Sequence, residues 1–191
     1  MTRDSLRRFW SRAVADIRGA AAIEFALILP VLVLLYGVGF EVCQAATVSR
    51  KLTDTTVQLA NVTSQYTSVA KSDISTIMNA SSETMTPFPN SALALTLSEV
   101  NIDANGNAKV CWSEAFLDGV ALQGNVLTTP PKAPPSLMTP NSSYIVVEST
   151  YAYTPVIAGD FMPAMTLSDQ SFMLPRDSGS IPCTDCTATP C

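Results

Sequence analysis

Apolar residues fill nearly every position from Ala20 to Phe40, and the pattern then changes to a spaced stripe. Only one residue of this first run, Glu24, is charged. About 20 consecutive apolar residues match the hydrocarbon thickness of a bilayer at a rise of about 1.5 Å per residue. The run therefore predicts a transmembrane helix over residues 20–40.

Beyond the run, apolar side chains recur among Thr, Ser, Gln and Asn residues at Val48, Leu52, Leu59, Val62 and Val69. Their spacing places them on one face of a helix, and no Gly or Pro interrupts the chain before Tyr66. The first helix is therefore expected to continue to about Tyr66, with its second half packed on a globular head. Ser72 and Asp73 then favour a short helix to Met78 or Asn79. Residues 41–80 form the predicted helical stalk.

The next segments alternate as strands do. The segments 92–102 and 108–116 flank the turn sequence 103–107, which predicts a β-hairpin. A change of parity at Ser98 and Glu99 indicates a bulge or the end of a regular stretch. Val110 and Trp112 are expected to share a face, with Cys111 on the other.

Two further strands are predicted from Ser143 to Val156 and from Met165 to Leu174, since both are rich in residues that favour strands. The prolines between 127 and 140 exclude a central strand and predict a long connection, or alternatively an assembly contact. The resulting fold is α+β: a long N-terminal helix, transmembrane then amphipathic, carries a small antiparallel β head at residues 91–176. A Cys-containing tail follows at residues 177–191.

Charge predicts the orientation in the membrane. Residues 1–19 hold five arginines against Asp4 and Asp16, a net charge of +3, whereas the chain from Glu41 onward has six basic and 13 acidic residues. Because positive flanks remain in the cytoplasm, the N-terminus is expected inside and the head outside, in the periplasm. No basic patch follows the leader, so nucleic acid is not an expected partner.

Candidate catalytic chemistry is sparse. The chain has no histidine, the commonest general base and a frequent zinc ligand. The sequence also lacks a Gly-rich phosphate loop, a nucleophile elbow and an acidic cluster with metal spacing. We therefore expect neither an enzyme nor a cofactor or metal site.

The stretch from Arg18 to Pro30 carries the most specific motif. A basic leader ends in Gly19, and the apolar helix that follows has Glu24 fifth and Phe25 sixth. This arrangement resembles a type IV prepilin-type processing site, and more narrowly the TadE-like pseudopilins of the tight-adherence (Tad, Flp-type) pilus. Tyr151 to Pro155 and the Pro175-Arg176 pair also resemble that family.

The resemblance implies a pseudopilin or minor pilin that takes part in assembly of a Tad (Flp-type IVb) pilus. A prepilin peptidase would cut between Gly19 and Ala20 and remove the leader, residues 1–19. Glu24 would then face the terminal amine of a neighbouring subunit, with Phe25 beside it in the assembly region. The implied location is the bacterial inner membrane, single-pass, and the implied partners are that peptidase, other pilin or pseudopilin subunits and the Tad assembly platform. A head of this size favours a minor role over that of the bulk subunit.

Other interpretations of the N-terminal segment remain open. A plain signal anchor would tolerate Glu24 without using it. A cleavable secretory signal would be cut near Ala46, although its apolar core is normally about 7–15 residues. The alternative function is a single-pass, membrane-anchored binding module with an extracytoplasmic head.

The five cysteines would lie in an oxidising compartment, where disulfides persist. Candidate disulfide residues are Cys111, Cys183, Cys186 and Cys191. The tail favours a small loop closed by Cys183–Cys186 or Cys186–Cys191, or a tail cysteine joined to Cys111. A redox pair and half of a zinc site are the weaker alternatives for the Cys-x-x-Cys motif. Cys43 is the expected spare thiol.

Overall fold

The computed structural model describes residues 19–121, 127–157, 159, 163–186 and 191. The predicted leader up to Arg18 lies outside the described residues. The chain divides into two compact units. The first contains Met1–Cys43 and Pro155–Met162, and the second contains Gln44–Thr154 and Pro163–Cys191.

Helix α1 spans Ala20–Thr63 and continues through Pro30. A proline removes one backbone hydrogen bond, which membrane helices tolerate better than soluble ones. The helix ends three residues before the predicted Tyr66, where the Ser64 amide donates to the Ala60 carbonyl at 2.9 Å and the chain turns. The predicted long helix is therefore present.

Helix α2 spans Lys71–Ser82 and starts slightly earlier than Ser72, the expected cap. Ala70 occupies the cap position, and its amide donates to the Asp73 carboxylate at 2.9 Å. A carboxylate in the first turn also interacts favourably with the helix dipole. A short 3₁₀ turn, Glu83–Met85, follows the helix.

Five strands form one antiparallel sheet in the order β3-β2-β1-β4-β5. Their bounds are Leu93–Ile102 for β1, Ala108–Leu117 for β2, Val120–Ala121 for β3, Ser142–Tyr153 for β4 and Met165–Met173 for β5. The α+β prediction of a long N-terminal helix and a small antiparallel sheet is confirmed. Strand β3, which forms two rungs with β2, was not predicted.

The bulge lies on β2 and not on β1. Strand β1 pairs with β4 without a break, but its register with β2 moves from Glu99↔Trp112 to Val100↔Val110. Cys111 is therefore the extra residue. The expectation that Val110 and Trp112 share a face was wrong, because one inserted residue moves all later side chains of a strand to the opposite face.

Both faces of the sheet carry apolar clusters. The larger one packs the second half of α1 and helix α2 on the sheet; it includes Val48, Leu52, Leu59, Ile74, Met78, Leu93, Leu95, Leu97, Trp112, Phe116, Ile145 and Val147. The smaller one contains Val100, Ile102, Val110, Tyr144 and Val146. Leu127 and Ala133 of the proline-rich connection pack against this second cluster. The connection therefore covers part of the sheet's other face.

Candidate functional site

The predicted processing junction coincides with the start of α1. Gly19 is exposed, and helix α1 begins at Ala20. Gly19 does not have a positive φ, and no described atom lies within 4 Å of a β-carbon built on it. Within the described part of the chain, neither backbone conformation nor packing requires glycine there. The small residue remains available for recognition by another protein.

Glu24 and Phe25 lie in the second turn of the same helix, and both are exposed. Residues four positions apart share a helix face, so Glu24 lies one turn above Ala20 on the same side. The Phe25 side chain is 59% exposed and follows on the adjoining side. Ala20 and Glu24 thus lie on one face of the helix, and both are accessible to a second molecule.

The surrounding surface is apolar and uncovered. Every residue from Ala20 to Tyr36 is exposed, including a nearly continuous set of large apolar side chains: Ile23, Leu27, Ile28, Leu29, Val31, Leu32, Val33, Leu34 and Leu35. Among the described helices, α1 alone is long and apolar enough to cross a membrane. Such a surface requires lipid or protein around it. It fits a single-pass membrane anchor.

The four candidate cysteines form two disulfides in the second unit. Cys111 is joined to Cys191, and Cys183 is joined to Cys186. Cys43 is exposed and is not in a disulfide. The first bridge attaches the chain end to the bulge of β2, and the second closes a small loop within the tail.

The tail also bonds to the segment between the two helices. The Val69 amide donates to the Pro182 carbonyl at 3.0 Å, and the Thr184 amide donates back to the Val69 carbonyl at the same distance. Asp185 Oδ1 accepts from the Lys71 amide at 2.7 Å, at the N-terminus of α2. A carboxylate there satisfies an amide that the helix cannot pair and complements the helix dipole.

A buried carboxylate, Glu99, holds the tail from the other side. Its Oε1 accepts from the Ile181 amide at 2.7 Å, and its Oε2 accepts from Trp112 Nε1 at 2.9 Å. Trp112 Nε1 also donates to the Ile181 carbonyl at 2.8 Å. Removal from water raises the pKa of Glu99, although the bonds from Ile181 and Trp112 act in the opposite direction. We call these three residues the Glu99 clamp.

The tail geometry identifies the Cys-x-x-Cys motif as a structural element. Ligand atoms of Cys183, Asp185 and Cys186 lie within 4.8 Å of one another. However, the two sulfurs are bonded to each other, so neither is a thiolate able to ligate zinc. Asp185, moreover, is already bonded to α2.

Sequence reasoning missed the Glu99 clamp and the buried Glu41. Glu99 follows Leu93, Leu95 and Leu97 at alternate positions, and a carboxylate on the core-facing parity of a strand is the signal that would have identified it. Glu41 directly follows the apolar run, and its side chain is fully buried. In the same unit, Glu41 Oε1 accepts a hydrogen bond from the Ile157 amide.

Comparison with known proteins agrees with the motif at the start of α1. The model of a family described as TadE-like protein matches residues 19–61, nearly the whole of that helix. The resemblance to TadE-like proteins, predicted from residues 18–30, is thereby confirmed for this segment. No curated protein and no solved structure matches the chain. The family match connects the chain with the Tad pilus system.

Proposed function

From the TadE-like segment at residues 19–61, we propose that this chain is a pseudopilin or minor pilin that takes part in assembly of a Tad pilus. A prepilin peptidase removes residues 1–19, and the freed helix packs among other pilin subunits. One observation carries the proposal. An exposed glycine that the described structure does not require stands directly before an exposed apolar helix, five residues before Glu24.

Glu24 supplies the assembly contact. A lone carboxylate costs on the order of 3 kcal/mol at the centre of a membrane helix, and less towards its ends. Cleavage after Gly19 creates a positive amine on Ala20, one turn away on the same face. When a second subunit shifts along the first by about one turn, the amine of one faces the Glu24 of the other. Pairing neutralises both charges and favours that register.

The head remains outside the membrane and does not catalyse a reaction. The two disulfides and the Glu99 clamp hold the tail on the head, which suits a protein that works in an oxidising compartment. Its partners are the peptidase, neighbouring pilin or pseudopilin subunits and the assembly platform. The basic leader keeps the N-terminus in the cytoplasm during insertion.

The N-terminal sequence and mass of membrane-extracted protein test the proposal, with and without the prepilin peptidase. We expect loss of residues 1–19 only when the peptidase is present. Gly19→Leu should block the cut, whereas Gly39→Leu is the matched control, because a β-carbon at Gly39 also meets no described atom within 4 Å. A retained Met1 would favour the membrane-anchored binding module. A new terminus near Ala46 would indicate a secreted domain.

A further inference from the structure

The segment between β4 and β5 forms part of the same compact unit as the apolar half of α1. Its sequence from Val156 to Met162 contains five apolar residues, one glycine and one aspartate. Val156 is 87% exposed and Ile157 is 60% exposed, although both are β-branched apolar residues. Two adjacent exposed side chains of this kind are unusual on a surface that faces water.

Ile157 lies against α1 within the predicted membrane run. A β-carbon built on Gly37 would be 3.7 Å from Ile157 Cγ2, an ordinary van der Waals contact. Ile157 also lines an apolar groove with Pro30, Val33, Leu34 and Val38. Gly37 stands three residues before Phe40, the end of the apolar run. At the helical rise per residue, Gly37 is therefore about 4.5 Å deeper in the membrane than Phe40.

Backbone polarity normally keeps loops out of lipid, since an unpaired amide there costs several kcal/mol. The amide of Ile157 is paired, because it donates to the carboxylate of Glu41. Glu41 follows Phe40 directly and is fully buried. The Glu41 carboxylate therefore gives the Ile157 amide a hydrogen-bond partner at a depth in the membrane where water would not be available.

We propose that Val156 and Ile157 are immersed in the outer leaflet of the membrane and form a second, shallow membrane contact beside the transmembrane helix. The occupant of this apolar surface is the acyl region just below the lipid headgroups. Apolar side chains of interfacial segments enter the boundary by about 5–10 Å, which is compatible with the level of Gly37. The contact rests on the proposed membrane topology of α1. It fixes the rotation of the helix as well as its depth, because only the face with Pro30, Val33 and Gly37 carries the segment.

Depth-dependent quenching tests the contact. Single cysteines at Leu32, Val156 and Ala104 are introduced in a Cys43→Ser background, labelled with a small fluorophore and reconstituted at low density in phosphatidylethanolamine–phosphatidylglycerol vesicles. Leu32 is exposed within the apolar run, and Ala104 is exposed in the polar turn between β1 and β2. Lipids carry nitroxides at shallow or deep acyl positions, and iodide serves as the aqueous quencher.

We expect the label on Leu32→Cys to be quenched most strongly by the deep nitroxide. The shallow nitroxide should quench the label on Val156→Cys at least threefold more than the label on Ala104→Cys. If Leu32→Cys shows the lipid signal but Val156→Cys behaves like Ala104→Cys, the shallow contact does not exist and the helix topology stands. If Val156→Cys is shielded from iodide and from both nitroxides, protein covers it and the lipid contact is refuted. If Leu32→Cys is quenched only by iodide, the membrane anchor itself is refuted.

Discussion

Replacing both Cys111 and Cys191 with serine tests whether the attachment of the tail stabilises the head. The bridge joins residues 80 positions apart, so it restricts a large loop of the unfolded chain. The loop-closure model gives a stabilisation of about 4.5 kcal/mol for such a loop, as an upper estimate. The Cys183–Cys186 bridge joins residues three positions apart, and the same model gives about 1.6 kcal/mol.

Urea unfolding in detergent measures the difference. Trp112 is a buried reporter in the Glu99 clamp, and Trp10→Phe removes the other tryptophan of the chain. At a slope of about 1.5 kcal/mol per molar urea, the Cys111→Ser/Cys191→Ser variant should lose about 2–3 M in midpoint. The matched Cys183→Ser/Cys186→Ser variant should lose about 1 M. Equal losses in the two variants, or a larger one in the second, would refute the view that the long bridge fixes the tail.

Three further outcomes are expected. The Glu24→Val and Glu24→Gln variants should both insert in the membrane normally, as measured by carbonate extraction. Both should reduce the number of pili counted by electron microscopy, and normal piliation would show that Glu24 has no part in the mechanism. Glu99→Gln should cost about 1–3 kcal/mol in urea unfolding near neutral pH, because its amide presents a donor to one of the two groups that now donate to the carboxylate. Asp185→Ala should cost about 1 kcal/mol through loss of an α2 amide partner, and Asp177→Ala, in the same exposed tail, is its control.

The pH dependence of Glu99 has a defined sign. Its pKa in the folded protein is raised above the ordinary 4.5, so the folded state binds more protons than the unfolded state between these two values. Its contribution to stability is therefore greatest below about pH 4.5 and decreases as the pH rises through the folded pKa. Comparing unfolding of the native protein and Glu99→Gln across this window isolates the contribution. The same stability difference at every pH would show that folding does not shift the pKa of Glu99.

The elements that were predicted well depend on local chemistry. The hairpin is defined by its turn, where Asp103 accepts from the amides of Asn105 and Asn107, each at 2.8 Å, and by the strands on either side. The bonded residues are at most four positions apart in the sequence. Asparagine and aspartate side chains form such hydrogen bonds with the neighbouring backbone independently of the rest of the fold. The apolar run and the glycine before it are likewise properties of adjacent residues.

The elements that were missed depend on residues far apart in sequence. The bulge at Cys111 appears only when β1 and β2 are paired, since parity alone cannot assign an extra residue to one of two strands. Glu99 bonds to Ile181, 82 positions later. The contact between Gly37 and Ile157 likewise joins distant parts of the chain. No periodicity in the sequence encodes such pairs.

The tail also bears on what happens when α1 is moved during assembly. Arg176, the residue directly before the tail, bonds to the end of that helix: the Arg176 amide donates to the Ser64 carbonyl at 2.9 Å, and its Nη2 donates to Asn61 Oδ1 at 2.6 Å. In the proposed function, withdrawing the helix from the bilayer applies force to the head through the second half of α1, which packs on the sheet. The hydrogen bonds of Arg176 and the disulfide between the tail and β2 add to this packing, so we expect the head to resist the force as one unit.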